Sequence, residues 1–162
     1  STVHRDKERF VQYTKGAPDE ILSRCTEIWD NGQVRPMTEK DRADILAANK
    51  GMADKALRVL AASEGKKIAV LGDMKELGEL TESAHRAMGE LCALLGIDRV
   101  IAVGEYAHGI ADAAHESAEW YPDAESAVDA ARAAFTEGSV LLCKASHSMH
   151  LEKIVEELLK TT

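Results

Sequence analysis

From Lys66 onward the hydrophobic pattern is that of a parallel sheet. Ile68-Ala69-Val70-Leu71, Arg99-Val100-Ile101-Ala102-Val103 and Ser139-Val140-Leu141-Leu142-Cys143 are short and almost continuously apolar. Runs of this kind suit strands covered on both faces. A weaker run, Ala118-Glu119-Trp120-Tyr121 before Pro122, predicts a fourth strand. Between and after these runs the apolar period lengthens, predicting helices at about 81–95, 105–116, 123–136 and 149–160. Leu80, Ala84, Ala87, Met88, Leu91 and Leu95 recur at helical spacing, as do Ala127, Val128, Ala131, Ala134 and Phe135. Thr81 and Ser148 stand where helix caps belong. The alternation implies right-handed crossovers and an α/β fold: an open, doubly wound, mostly parallel sheet with helices on both faces.

The first third follows another pattern. Arg9-Phe10-Val11-Gln12-Tyr13-Thr14 alternates as a half-buried strand, with Thr2-Val3-His4-Arg5 as its hairpin partner across Asp6-Lys7-Glu8. Pro18 is placed to open a helix running to about Trp29, with Ile21, Leu22, Cys25 and Ile28 on one face. Asn31-Gly32 is a turn signal, and Gln33-Val34-Arg35 reads as a short strand or an extended connection. Thr38 caps a further helix carrying Ile45, Leu46 and Asn49.

Met52–Ser63, MADKALRVLAAS, satisfies two patterns at once. Ala53, Ala56, Leu57 and Leu60 share a helical face, while Leu57, Val59 and Ala61 alternate as a strand. A helix is expected, because the following sheet needs a crossover element there. Gly51 either divides it from the helix at 39–50 or lies inside one long helix at a cost of about 1 kcal/mol. Gly65 is the expected stop. These features predict a β-β-α-α segment over 1–51 and an α/β unit over 52–162, integrated into one domain. The N-terminal strand or hairpin and the helices would extend or cover one edge of the sheet.

Composition narrows the class further. With 162 residues, 45% hydrophobic and 30% charged, the chain can bury a core. A net charge of -8 argues against nucleic acid and anionic membranes. No apolar run approaches the roughly 20 residues of a membrane span, and the N-terminus lacks a secretory pattern. Cys25, Cys92 and Cys143 are widely spaced in apolar settings and read as buried thiols of a cytoplasmic chain.

Three loops at the predicted strand ends could hold chemistry: Gly72–Gly78, Gly104-Glu105-Tyr106 and Lys144–Met149. In the last, Lys144, Ser146 and Ser148 precede a predicted helix start and could hold an anion. The same serines could equally serve only as caps. His147 and His150 are three apart, but no third ligand at suitable spacing accompanies them, so no metal site is expected.

Two family resemblances attach to these residues. Lys67–Gly78 (KIAVLGDMKELG), Arg99–Gly104 (RVIAVG) and Lys144–Lys153 (KASHSMHLEK) resemble the C-terminal domain of the Mur ligases, above all the member that adds D-alanyl-D-alanine. The resemblance covers about residues 52–162 and implies a Rossmann-like fold. Ala145 and His147 stand where that family usually has glycine and arginine. No G-x-x-x-x-G-K-[ST] occurs in these residues, and the Asp-Ser-Tyr-Asn-Ala-Asn-Pro stretch of the ligases is missing.

Lys15-Gly16-Ala17-Pro18-Asp19-Glu20-Ile21-Leu22, with the run on through Cys25 and Gly32 to Ala56–Ala61, resembles the nucleotide-binding domain of the P-type cation-transport ATPases. That resemblance implies that Lys15, Gly16 and Arg58 are remnants of an ATP pocket. It also implies a strand over Leu57–Ala62, against the helix expected above. The ATPase phosphorylation motif Asp-Lys-Thr-Gly-Thr does not occur. Two parents meeting across one shared element are what an engineered chimera would show. The expected protein is a folded chimera without catalysis or a required cofactor or partner. The alternatives are weak residual ATP or phosphate binding, and a homodimer through an exposed edge strand.

Overall fold

The structure is a computed structural model describing residues 2–6, 9–14, 21–75 and 77–160. It divides into two compact units, residues 1–46 and 47–162.

In the second unit four strands lie parallel in the order β7-β6-β5-β8. They are β5 (Lys66–Gly72), β6 (Arg99–Val103), β7 (Ala118–Tyr121) and β8 (Ser139–Lys144). The chain steps outward from β5 to β7 and then returns to the other side of β5, which makes the sheet doubly wound. Alternate residues of the apolar runs build two cores. Ala69, Leu71, Val100 and Ala102 face one cluster, packed by Ala53, Leu57 and Leu60 of α1 (Glu39–Ala62). Met88 and Cys92 of α2 (Thr81–Leu94) and Ile110 of α3 (His108–Ala114) complete that side. Ile68, Val70, Ile101 and Val103 face the other cluster, closed by α4 (Ala124–Ala134) and α5 (Glu152–Leu159). The α/β reading and all four strands are as expected from the apolar runs.

α1 is one helix of 24 residues that runs through Gly51 without a break. Met52–Ala62 is therefore helical and not a strand, and Leu57 is 1% exposed against the sheet. Burying such a leucine contributes roughly 1.5–3 kcal/mol, which outweighs the glycine penalty.

In the first unit, β1 (Thr2–Asp6) pairs with β2 (Arg9–Tyr13) as the alternation predicts. The helix expected to reach Trp29 stops early: Ser23 and Arg24 form a turn, and Glu27–Asp30 is a strand, β3. It pairs with β4 (Gln33–Pro36) across Asn31 and Gly32, both at positive φ. That is the two-residue turn whose twist matches a hairpin, and it overrides the helical spacing of Ile28. Each hairpin forms its own two-stranded sheet, and neither adds a strand to the four-stranded one. Among the described residues the strands of the first unit thus pair only within their own hairpins. Arg35 bridges Asp30 (2.9 Å) and Asp41 (2.7 Å), while Arg42 donates to the Leu22 and Cys25 carbonyls. These bonds tie β3, β4 and the start of α1 together.

Thr38 caps α1 as expected, accepting from Asp41 N at 3.2 Å while its own N donates to Asp41 Oδ2 at 2.8 Å, but the other two predicted caps are corrected. Thr81 is the first residue of α2, and its hydroxyl donates backward to Gly78 O instead of capping. Ser148 lies inside a short 3-10 turn, His147–Met149, and caps nothing. A capping box also opens α4, where Asp123 accepts from Ser126 N at 2.8 Å.

Candidate functional site

Ligands of doubly wound sheets collect at the carboxyl ends of the strands, where the winding reverses. Here the reversal lies between β5 and β8, whose following loops are bonded to each other. Ser146 N donates to Asp73 O at 3.0 Å, and Lys75 N donates to Ser146 Oγ at 3.0 Å. A Cβ placed on Gly72 would stand 2.7 Å from Ala145 Cβ. These contacts join the two loops.

A cleft of about 580 Å³ opens instead beside the ends of β5 and β6. Asp73, Lys75, Thr81, Gly104, Glu105 and Tyr106 line it, with Pro122 and Met149 at its margin. Its floor is the Asp73 carboxylate, 3% exposed. Oδ2 accepts from Glu105 N (3.1 Å), and Oδ1 accepts from Tyr106 N and Ala107 N (both 2.9 Å). These are the free N–H groups ahead of α3, where an anion would bind. The protein's own carboxylate fills that place.

His85 supports the same loop from below and is fully buried. Its Nδ1 lies 2.6 Å from Thr81 O, and its Nε2 lies 2.9 Å from Met74 N. A carbonyl can only accept and an amide N–H can only donate, so the ring carries its proton on Nδ1. His85 thereby fixes the path of Met74 and, next to it, Asp73. Trp120 holds the Gly104 carbonyl by donating from Nε1 to Gly104 O at 2.6 Å.

The sequence-predicted residues fall as follows. Lys144 ends β8 and is half-buried, and Ser146 spends its hydroxyl on the Lys75 amide. Ser148 Oγ is buried with no hydrogen-bond partner. Arg58 is exposed on α1, in a helix rather than the strand the ATPase resemblance implies. Lys15 and Gly16 lie outside the described residues. His147 and His150 have ring centres 6.1 Å apart, and His150 Nδ1 is 2.9 Å from Glu152. Among the described residues no group of three or more metal-ligating side chains forms. Sequence reasoning picked out the loops that carry Asp73 and Gly104 without giving either residue a role, and it missed His85. The only signal for Asp73 was an acid directly after an apolar strand, and nothing local marks His85.

No helix among the described residues is long and apolar enough to cross a membrane. Comparison with known proteins finds two kinds of relative. Calcium-transporting ATPase 1 of Bacillus cereus is 48% identical over 61 residues, 38% of this chain and 7% of that protein. The UDP-N-acetylmuramoyl-tripeptide--D-alanyl-D-alanine ligase of Escherichia coli is 35% identical over 117 residues, 71% of this chain and 26% of the ligase. The crystal structure of MurF ligase from Thermotoga maritima in complex with ADP matches with a TM-score of 0.58 and 28% identity. That match covers 67% of this chain and 25% of the ligase. The chain therefore spans about a quarter of the ligases' length and less than a tenth of the transporter's. Residues 1–92 match the P-type ATPase cytoplasmic domain N, past the expected limit near residue 60 and into β5 and α2. With residues 1–92 of its 162 matched, the chain belongs to the P-type ATPase cytoplasmic domain N family, and it also resembles the Mur ligases over its α/β unit.

Proposed function

We propose that the chain is an engineered chimera that folds without carrying out a reaction of its own. One observation carries this reading: Asp73 occupies the three N–H groups at the end of β6 that an anionic ligand would need. A phosphate arriving there meets a fixed carboxylate, and like charges at close range repel. The ATPase side fares no better, since Arg58 sits on a helix and not on the strand of a nucleotide pocket. A chain with free cysteines and no nucleotide chemistry suits a reducing cytoplasm as a stable scaffold.

The chain's two tryptophans make the test direct. Trp29 reports on the first unit and Trp120, bonded to Gly104, on the cleft. Titration with Mg-ATP should leave both emissions unchanged, and no phosphate should be released. A saturable change in either emission at millimolar ATP, or sustained hydrolysis, would sink the proposal. The second reading, residual phosphate binding near Ser148, has one observation in its favour: that buried, unpartnered hydroxyl. It predicts that Ser148→Ala abolishes any response to inorganic phosphate.

A further inference from the structure

β8 forms one edge of the parallel sheet, and among the described residues nothing pairs with its outer side. The opposite edge, β7, is protected in the ordinary ways. It has four residues, its Glu119 is held by Arg99, and Pro122 follows it directly. Shortness, charge and proline all discourage a further strand. β8 is less protected, its one charge, Lys144, standing at its very end. It has six residues, with no charge, proline or glycine from Ser139 to Cys143.

Its sequence is that of an interior strand in an edge position. β5 is buried from Ile68 to Gly72 and β6 from Val100 to Val103, whereas no residue of β8 is fully buried. Val140 is 37% exposed. An apolar edge of this kind is a template for pairing.

We propose that β8 pairs antiparallel with β8 of a second copy of this chain, joining two four-stranded sheets into one. The charges around the strand favour a second copy as the occupant. Exposed Glu137 stands two residues before β8, and Lys144 ends it. Antiparallel pairing lays the acidic start of each strand beside the basic end of the other, and two-fold symmetry does so twice. An axis perpendicular to the sheet also keeps each face in register. With the axis at Leu141, which packs toward α4 and α5, Leu141 lies beside its own counterpart and Cys143 opposite Ser139 on that face, while Leu142 lies opposite Val140 on the other. With a net charge of -8 per chain, close approach requires an uncharged strip, and Ser139–Cys143 is such a strip. Because β7 is blocked, association stops at two copies.

Sedimentation velocity of the whole chain over a wide concentration range tests this. A reversible monomer–dimer equilibrium is expected. Glu137→Lys and Lys144→Glu should each weaken the dimer about tenfold, and the double exchange should restore it. Val140→Lys should leave a monomer with an unchanged circular-dichroism spectrum, while Val34→Lys, an exposed strand residue of the first unit, should leave the dimer intact. A monomer at every concentration would overturn the proposal and point to cover from within the chain. A dimer unaffected by Val140→Lys, an unrescued charge exchange, or growth beyond two copies would overturn it as well.

Discussion

Gly104 and Asp73 are locked together: a Cβ on Gly104 would lie 2.5 Å from the Asp73 carboxyl carbon, and Gly104 has φ +120°. The carboxylate reaches the N–H groups of Glu105, Tyr106 and Ala107 only because the residue before them has no side chain. Gly104→Ala should therefore cost about 2–4 kcal/mol, from backbone strain and displacement of the carboxylate. Asp73→Asn should cost about 2 kcal/mol, since an amide NH₂ cannot accept from Glu105 N. Urea unfolding followed at Trp120 would measure both. A loss below 1 kcal/mol in either variant contradicts the arrangement described.

Two helical glycines should respond to alanine with opposite signs. Gly51 lies inside α1, and a methyl group added there would find nothing within 4 Å. Gly51→Ala should stabilise by roughly 0.5–1 kcal/mol. Gly89 in α2 lets α3 approach so closely that a Cβ would stand 2.2 Å from Ile110 O and 2.8 Å from Ala113 Cβ. Gly89→Ala should destabilise by about 2–3 kcal/mol despite its better helix propensity. Thermal melts of the two variants would show the reversal.

How much of this was legible in the sequence depends on the range of the cause. The β5, β6 and β8 runs announce themselves because strands buried on two faces need apolar residues at every position. The helix over Met52–Ala62 was legible from Ala53, Leu57 and Leu60, which reappear together in one core. Glu27–Asp30 was misread because Ile28 fits both periods, and only the Asn31-Gly32 turn decides between them. Thr81 misled in another way, since a 3-10 turn at Gly78–Leu80 carries the chain into the helix and removes the cap position. The loop of Asp73 was legible but not its role, and His85 was invisible, because their partners lie 11 to 34 residues away or across a turn that only the fold creates.

Acid should act first on the unit over residues 1–46. The Arg35 guanidinium, and then Thr38, hold the Asp41 carboxyl well below the ordinary carboxylate range. A folded pKa below the unfolded one gives stability that is present above the unfolded value, near 4, and lost as pH falls. Trp29 fluorescence against pH should show loosening of β3 and β4 below about pH 4. Asp41→Asn should remove that pH dependence and weaken the unit at neutral pH. An unchanged acid transition in the variant would contradict the role given to Asp41.

The thiols make the opposite case at high pH. Burial pushes Cys92 up to about 12 and Cys143 up to about 11. Folded values above the unfolded one contribute stability below about pH 9 that is lost as pH rises through the folded values. At pH 8 a thiol reagent should label Cys25 first, and Cys92 only as fast as the protein unfolds. Equal labelling of all three in the folded protein would show that the cores on both faces of the sheet are open.

The central claim is that Asp73 already occupies the anion position at the end of β6. Amide chemical shifts of ¹⁵N-labelled protein during titration with Mg-ATP test it most directly. The Glu105, Tyr106 and Ala107 signals should stay in place in the native chain, and in the Asp73→Ala variant they should become sensitive to phosphate. Saturable movement of those three signals in the native chain would contradict the claim.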